Sequence, residues 1–401
     1  MDAKVNNKVI VFGGDNYCTL GLARQLGQAG LDVLYLITGG KQSCATKSKY
    51  CKKVKFVPSI QEGIIFLLGN YTGEQYKPIL IASSDLEAEA LDQNKEALEQ
   101  YFIIPGTAEQ GFLTKVDDKN YMVQIADEIG FLVPKSVQLT KNNLGCKVDF
   151  PCIIKPSKYT NGVKKEFKAK RCETQEELLD VLRFVRDDSV FIVQHYVPKE
   201  KDLLIYGCRM LDGEMKIAGS FYRDRWVSEG SDASHGFIEK GISELVRFEY
   251  MKAMLERIGY YGIFSFEFGV YDGKAYFFEV NLRNDGTSQD FYQLGANIPL
   301  AWVYNCAGLD YNLVQTQVQE DGWYMDEIYD FLNVIRGTLS RKQWKQDRIA
   351  AKAFRYYDQE DKSPWKYQRV RRHCFRAKRL ILDKYRPIIV RCIDRIKLNK
   401  K

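Results

Sequence analysis

No two cysteines stand at C-x-x-C spacing; the ten are scattered at 18, 44, 51, 146, 152, 172, 208, 306, 374 and 392. That pattern argues against a zinc or dithiol redox motif and predicts reduced thiols in a cytoplasmic protein. No apolar run approaches the roughly 20 residues that a membrane-spanning helix needs. Met1 to Lys8 is polar and leads straight into Val9-Ile10-Val11-Phe12, so no secretory leader is expected and the chain reads as soluble. Internal repeats and low-complexity segments are also missing.

What remains is an ordinary globular composition, 45% hydrophobic and 13% aromatic, over 401 residues. That length predicts two or three domains with ample cores. Charge is uneven. Residues 361–401 hold 15 Lys or Arg against 3 Asp or Glu, a balance of +12, so the rest of the chain carries −5 of the total +7. The body is mildly acidic and the tail strongly basic.

Val9 to Gly14, a helical pattern to Gly30 and the run Val33 to Ile37 read as a βαβ opening of a doubly wound domain. A dinucleotide site fits poorly. G-G-D-N-Y-C-T-L-G lacks the G-x-G-x-x-G spacing, and Ile37-Thr38 offers no acid for a ribose. Lys53 to Pro58 and Pro78 to Ala82 add strands, and Ser83-Ser84-Asp85 caps a following helix. Asp117-Asp118 caps the next, which carries Met122, Ile125, Ala126 and Ile129 at helical spacing up to Gly130. Lys119 lies in its first turn, where the helix dipole disfavours a cation, so either a nearby anion or plain solvation accounts for it. Pro151 to Pro156 is an apolar strand ending on Lys155, ahead of the basic, glycine-containing loop 157–168. A phosphate clamp and a plain hairpin both fit that pattern.

Gly262 to Ser288 is the most informative stretch. Two strand-like runs flank Asp272-Gly273, with Glu267 among phenylalanines on one and Glu279 and Asn281 two apart on the other. Residues two apart share a face of a strand. A two-residue turn would set Glu267 opposite Phe278; an odd loop with a bulge at the glycine sets it opposite Glu279, and the odd loop is the expectation. Adjacent carboxylates repel, so either a divalent cation or open solvent must relieve them. Glu, Glu and Asn oxygens with phosphate suit magnesium.

Five segments in order now resemble the ATP-grasp superfamily, and more narrowly the D-aspartate ligase-like carboxylate–amine ligases. They are TKVDDKNYMVQIADEIGFLVP, PCIIKP, VQHYVPKEKD, FSFEFGV and FFEVNLRNDGTS, within residues 1–310. The resemblance implies an α/β fold: a doubly wound pre-ATP-grasp domain (1–112), a small lobe (113–193), a large lobe with the metal site (194–310) and a helical, basic region (311–401). It implies that Lys119 and Lys155 contact ATP phosphate, that Gln194, His195, Tyr196 and Val197 flank the adenine, and that Asp202, or Glu200 nearby, takes the ribose. Glu267, Glu279 and Asn281 match the magnesium ligands, for two Mg2+ ions that Mn2+ can replace. Arg283, with Arg223 or Arg225, would stabilise the oxyanion of a tetrahedral intermediate; a surface salt-bridge cluster is the other reading of the latter pair. The implied reaction joins a small-molecule carboxylate to an amine through an acylphosphate. A bicarbonate-using enzyme of the carbamoyl-phosphate-synthase or carboxylase kind is the alternative, as is a nucleotide-binding accessory subunit without ligase activity.

Two departures stand out. Residues 219–226 read GSFYRDRW, where the D-aspartate ligases carry a longer basic segment, so D-aspartate specificity does not carry over. The loop 157–168 also lacks a tight glycine-rich lid. Beyond Asp310 the resemblance fades; Trp323 to Leu339 and Arg341 to Tyr357 look helical. Trp365 to Lys401 mixes isoleucines with arginines and lysines around Pro387, which suits either peripheral contact with an anionic membrane, as for an enzyme acting on a lipid-linked envelope precursor, or a helix packed on the body with a solvated basic face. No nucleic-acid recognition motif accompanies the charge.

Overall fold

The computed structural model describes residues 4–39, 43–141, 148–156, 169–183, 185–186, 189–227 and 232–372. The loop 157–168 and the tail beyond 372, on which expectations of a lid and a membrane contact rest, lie outside them.

Strands β1 (Val9–Gly14), β2 (Val33–Thr38), β3 (Lys53–Val57) and β4 (Ile79–Ala82) form a parallel sheet in the order β3-β2-β1-β4. β1 is central and its apolar run is buried, the pattern of a parallel strand covered on both faces. The helix Tyr17–Gln28 leaves its carboxyl end, N-capped by Asn16, whose side chain accepts from the Thr19 N–H.

The next sheet contains β5 (Ser136–Thr140), β6 (Cys152–Pro156), β7 (Lys170–Cys172) and β8 (Val190–His195), ordered β5-β8-β6-β7 and antiparallel throughout. Cys152, Ile154, Phe191 and Val193 face the helix Gln175–Arg183. Alternation leaves Ile153, Lys155, Ile192 and Gln194 on the opposite face.

The largest sheet carries β9 (Lys201–Arg209), β10 (Met215–Trp226), β11 (Ala233–Glu239), β12 (Gly262–Tyr271), β13 (Lys274–Asn281), β14 (Gly322–Met325) and β15 (Ala351–Phe354), in the order β13-β12-β9-β10-β11-β14-β15. Phe264, Phe266, Phe268 and Phe277 share one cluster with Phe131 beyond the helix Lys119–Ile129. On the other face Tyr206, Phe221 and Tyr324 pack against Phe291 and its helix.

Two expectations for the C-terminal region need correction. Residues 322–325 and 351–354 are strands, not helix, because β14 finds an open edge on β11 and β15 then pairs parallel to it. The helices there are shorter, Phe331–Arg336 and Arg341–Ala350. Among the described residues, no helix is long and apolar enough to cross a membrane.

Candidate active site between the two antiparallel sheets

The hairpin β12–β13 reaches the expected pairing by a different route. Tyr271 opposes Lys274 across a two-residue turn in which Asp272 and Gly273 both take positive φ, 49° and 66°. This is the two-residue geometry that an Asp-Gly pair favours. An extra residue enters farther along, where Phe268 opposes Phe277 but Glu267 opposes Glu279. The bulge falls at Phe278, whose ring lies over Gly269; a Cβ on that glycine would come within 2.3 Å of the ring. The odd loop at the glycine is therefore wrong, and the opposition of the two glutamates holds.

Around that pair the charges are laid out in order. Lys119 Nζ donates to Glu279 Oε2 at 2.9 Å. It is the first residue of its helix, whose N-cap Asp118 accepts from the Asn120 and Tyr121 N–H groups. Asn281 Nδ2 donates to Glu267 Oε1 at 3.2 Å. Arg223, arriving on β10, lies 3.6 Å from Glu267 Oε2. Burial pushes the Glu267 carboxyl up to about 7; Arg223 opposes that rise and Glu279 adds to it. Arg223 stays firmly charged, since Glu267, Asp285 and Asp202 outweigh its burial.

Arg283 follows β13. It donates from Nε to Asp85 at 2.5 Å and from Nη2 to Asn281 Oδ1 at 3.4 Å, and its Nη1 lies 3.4 Å from Asp285 Oδ2. Asp285 is buried, yet Arg283 and Arg223 hold its carboxyl below the ordinary range, helped by the Thr287 N–H and hydroxyl. Arg225 does not join this group. It bonds twice to Asp330 and once to Asp347, which draws it toward the C-terminal helices.

Across the cleft, Lys155 Nζ donates to Gln194 Oε1 at 3.3 Å and stands 5.6 Å from the Phe278 ring centroid, so the small sheet faces the hairpin bulge. His195 is exposed and points to the other face from Gln194. The N–H groups of His195 and Tyr196 already bond to the carbonyls of Lys135 and Pro151. These two backbone donors of the segment are thereby taken up within the protein. Val197 is buried just beyond it. Asp202 is also buried and accepts from Lys199 at 2.5 Å, whereas Glu200 is exposed beside the hairpin turn, 3.4 Å from the Asp272 N–H.

Two opposed carboxylates, one of them poorly ionised by burial, with the Asn281 amide beside them, are a set of groups that a small hard cation would relieve. The residues fit magnesium. Among the described residues no cluster of three or more His, Cys, Asp or Glu side chains could hold a metal ion, so the donor set here is two carboxylates and one amide. Sequence reading missed Phe278, Asp285, Tyr17, Asp232 and Arg355. Phe278 and Asp285 lie inside the segment FFEVNLRNDGTS, but Tyr17, Asp232 and Arg355 meet only through folding.

No protein-family model matches the chain. It is 23% identical over 312 residues to the D-aspartate ligase of Enterococcus faecium (strain Aus0004), a match covering 71% of this chain and 73% of that one. Among solved structures it superposes on the L-amino acid ligase from Bacillus licheniformis (TM-score 0.60, 14% identity, 80% of each chain). It superposes equally on the ADP complex of N5-carboxyaminoimidazole synthetase from Staphylococcus aureus (TM-score 0.60, 12% identity, 84% of this chain and 87% of that one). In sequence the chain is thus similar to a D-aspartate ligase, and in fold to an L-amino acid ligase and an N5-carboxyaminoimidazole synthetase.

Proposed function

We propose that the chain is an ATP-dependent, ADP-forming ligase that joins a carboxylate to an amine through an acylphosphate. The observation that carries this reading is the opposed Glu267–Glu279 pair with Asn281, ringed by Lys119, Arg223 and Arg283. Phosphoryl transfer asks mainly for positioned charge, and this is such an arrangement. Glu267, Glu279 and Asn281 would hold the magnesium, which when bound neutralises phosphate charge. Lys119 and Lys155 would face the phosphates from opposite sides of the cleft. Phe278 and Gln194 would bound the base, and Asp202 would take the ribose.

Arg223 and Arg283 then have the chemistry for the acyl half of the reaction. Each is a fixed cation beside the carboxylates, able to orient an incoming carboxylate and stabilise the tetrahedral oxyanion when the amine displaces phosphate. Such a reaction draws on ATP, and the free cysteines suit a reducing cytoplasm. The basic tail would suit an anionic membrane surface if the substrate is an envelope precursor.

The test is ADP release from ATP with pairs drawn from a panel of amino acids and simple amines, with bicarbonate as a separate arm. Release that depends on both a carboxylate and an amine supports the reading. Release with bicarbonate alone, or ATP binding with no turnover in any pair, sinks it.

A further inference from the structure

Beyond Arg223 lies a second constellation, built from parts of the chain far apart in sequence. Asp232 precedes β11. Its Oδ2 accepts from the Tyr17 hydroxyl at 2.7 Å and from Arg355 Nη1 at 3.1 Å. Tyr17 opens the first helix, and its ring lies against Gly286, where an added Cβ would come within 2.1 Å. The tyrosine is thereby locked onto the loop that follows Arg283. Arg355 follows β15, donates to the Tyr324 hydroxyl at 2.8 Å, lies 3.5 Å from Asp326 and stacks on Tyr17 at 4.5 Å.

Both side-chain hydrogen bonds that Asp232 accepts here, from Tyr17 and Arg355, end on one oxygen, Oδ2. Among the described residues Oδ1 has no hydrogen-bond partner, and the side chain is 56% exposed. Burial works against its charge, but Arg355, Tyr17 and Arg223 together hold the carboxyl below the ordinary range. The result is an ionised carboxylate clamped on one side and open on the other. Arg223, which lies 3.6 Å from Glu267, also feels the Asp232 charge, so Asp232 stands in the same electrostatic neighbourhood as the proposed phosphate end. Arg355 does not need Asp232 for neutrality, because Asp326 already stands beside it.

A ligase of this kind must collect an amine that arrives protonated in neutral water. An open carboxylate is the group that binds an ammonium, through charge-assisted hydrogen bonds. We propose that Asp232, oriented by Tyr17 and Arg355, binds the ammonium of the incoming amine; this inference rests on the ligase reading above. The balanced step is acylphosphate plus R–NH3+ giving amide, hydrogen phosphate and one proton. The bond from acyl carbon to phosphate oxygen breaks as the C–N bond forms. Asp232 supplies binding and orientation, and the protons leave with phosphate and solvent.

The experiment compares wild type with Asp232→Asn, which keeps an oxygen for Tyr17. Two nucleophiles are used at about pH 8: hydroxylamine, which is uncharged there, and each common amino acid, which carries an ammonium. Hydroxamate formation and ADP release are the readouts. Loss of a charge-assisted contact predicts that the KM for the amino-acid amine rises about tenfold or more, with the defect toward hydroxylamine at least tenfold smaller. Equal defects toward both nucleophiles, or an unchanged KM for the amine, overturn the proposal. A fall in melting temperature with loss of ATP binding also overturns it, by making Asp232 structural. If wild type forms neither hydroxamate nor amide with any carboxylate, the ligase reading fails first and takes this inference with it.

Discussion

Glu267 and Glu279 face each other across β12 and β13, with Lys119 on Glu279 and Arg223 and Asn281 on Glu267, and the proposed function makes the two carboxylates magnesium ligands. Replacing either by Gln removes a hard anionic ligand while keeping shape. Substrate-dependent ADP release should fall about 100-fold or more in each, in keeping with the loss of a metal ligand in phosphoryl transfer; activity within a few-fold of wild type would refute the metal assignment. A second residue-scale prediction concerns Glu327, which is buried with Oε1 accepting from the Tyr357 N–H while Oε2 has no partner. Burial, then Asp326, pushes its carboxyl up to about 8. The folded protein therefore holds this proton after the unfolded chain has lost it, and stability falls as pH rises from about 4.5 toward 8. Glu327→Gln should match wild type near pH 4 and exceed it at pH 8 and above, by up to a few kcal/mol; thermal melts across that range would show it, and parallel pH profiles would rule it out. Lys119, Lys155, Glu267, Glu279 and Asn281 stand out in the sequence by type and spacing, and Arg283 by the resemblance; the fold brings them to one cleft, where their roles are those proposed above. The place of Arg225 was not legible, because nothing in R-D-R says which arginine turns inward. Asp330 and Asp347, more than a hundred residues downstream, decide it.

The hairpin shows how an element can reach a readable end by an unreadable path. Alternation demanded that Glu267 meet Glu279, and parity demanded one extra residue. The sequence marks the glycine as the place for it, yet the Asp-Gly turn stays tight and the extra residue is Phe278. Neighbouring phenylalanines at 277 and 278 do not announce which one will leave the pleat; the space over Gly269 does. Gly269→Ala puts a methyl group into the Phe278 ring. The expected cost is about 1 to 3 kcal/mol from overpacking, with weakened magnesium dependence of ADP release as the bulge shifts Glu279 out of line. Adding Phe278→Leu should recover much of the stability, a coupling that a double-mutant cycle would read directly; strictly additive effects would remove Phe278 from the explanation. The strands at 322–325 and 351–354 failed as sequence predictions for a related reason. Four residues carry too little periodicity to outweigh the helical patterns beside them; pairing of β14 with β11, and of β15 with β14, fixes them instead.

For the molecule as a whole, the described part of the C-terminal region, up to residue 372, is built into the body. β14 and β15 widen the largest sheet, and Arg355 reaches back to Tyr17 and Asp232. Farther on, Asp361 closes onto the first helix. Its carboxylate accepts from Arg24 Nε at 3.1 Å, from the Ser48 hydroxyl at 2.7 Å and from the Lys49 N–H at 3.1 Å, and both members of the ion pair are fully buried. Removing one partner of such a pair strands the other charge, so Asp361→Ala should cost about 3 to 5 kcal/mol. Truncations separate this role from that of the basic end. A chain stopped after residue 340 loses β15, Arg355 and Asp361, leaves β14 as a bare edge and strands Arg24, so it should fail to fold cooperatively. A chain stopped after residue 372 keeps every one of these contacts and should melt within a few degrees of the full chain and bind an ATP analogue as tightly. Melting curves and nucleotide titration decide between them. Equal stability of both truncations would mean that the sheet closes without its last strand, and the assignment of Arg355 to the acceptor side of the cleft would lose its structural footing.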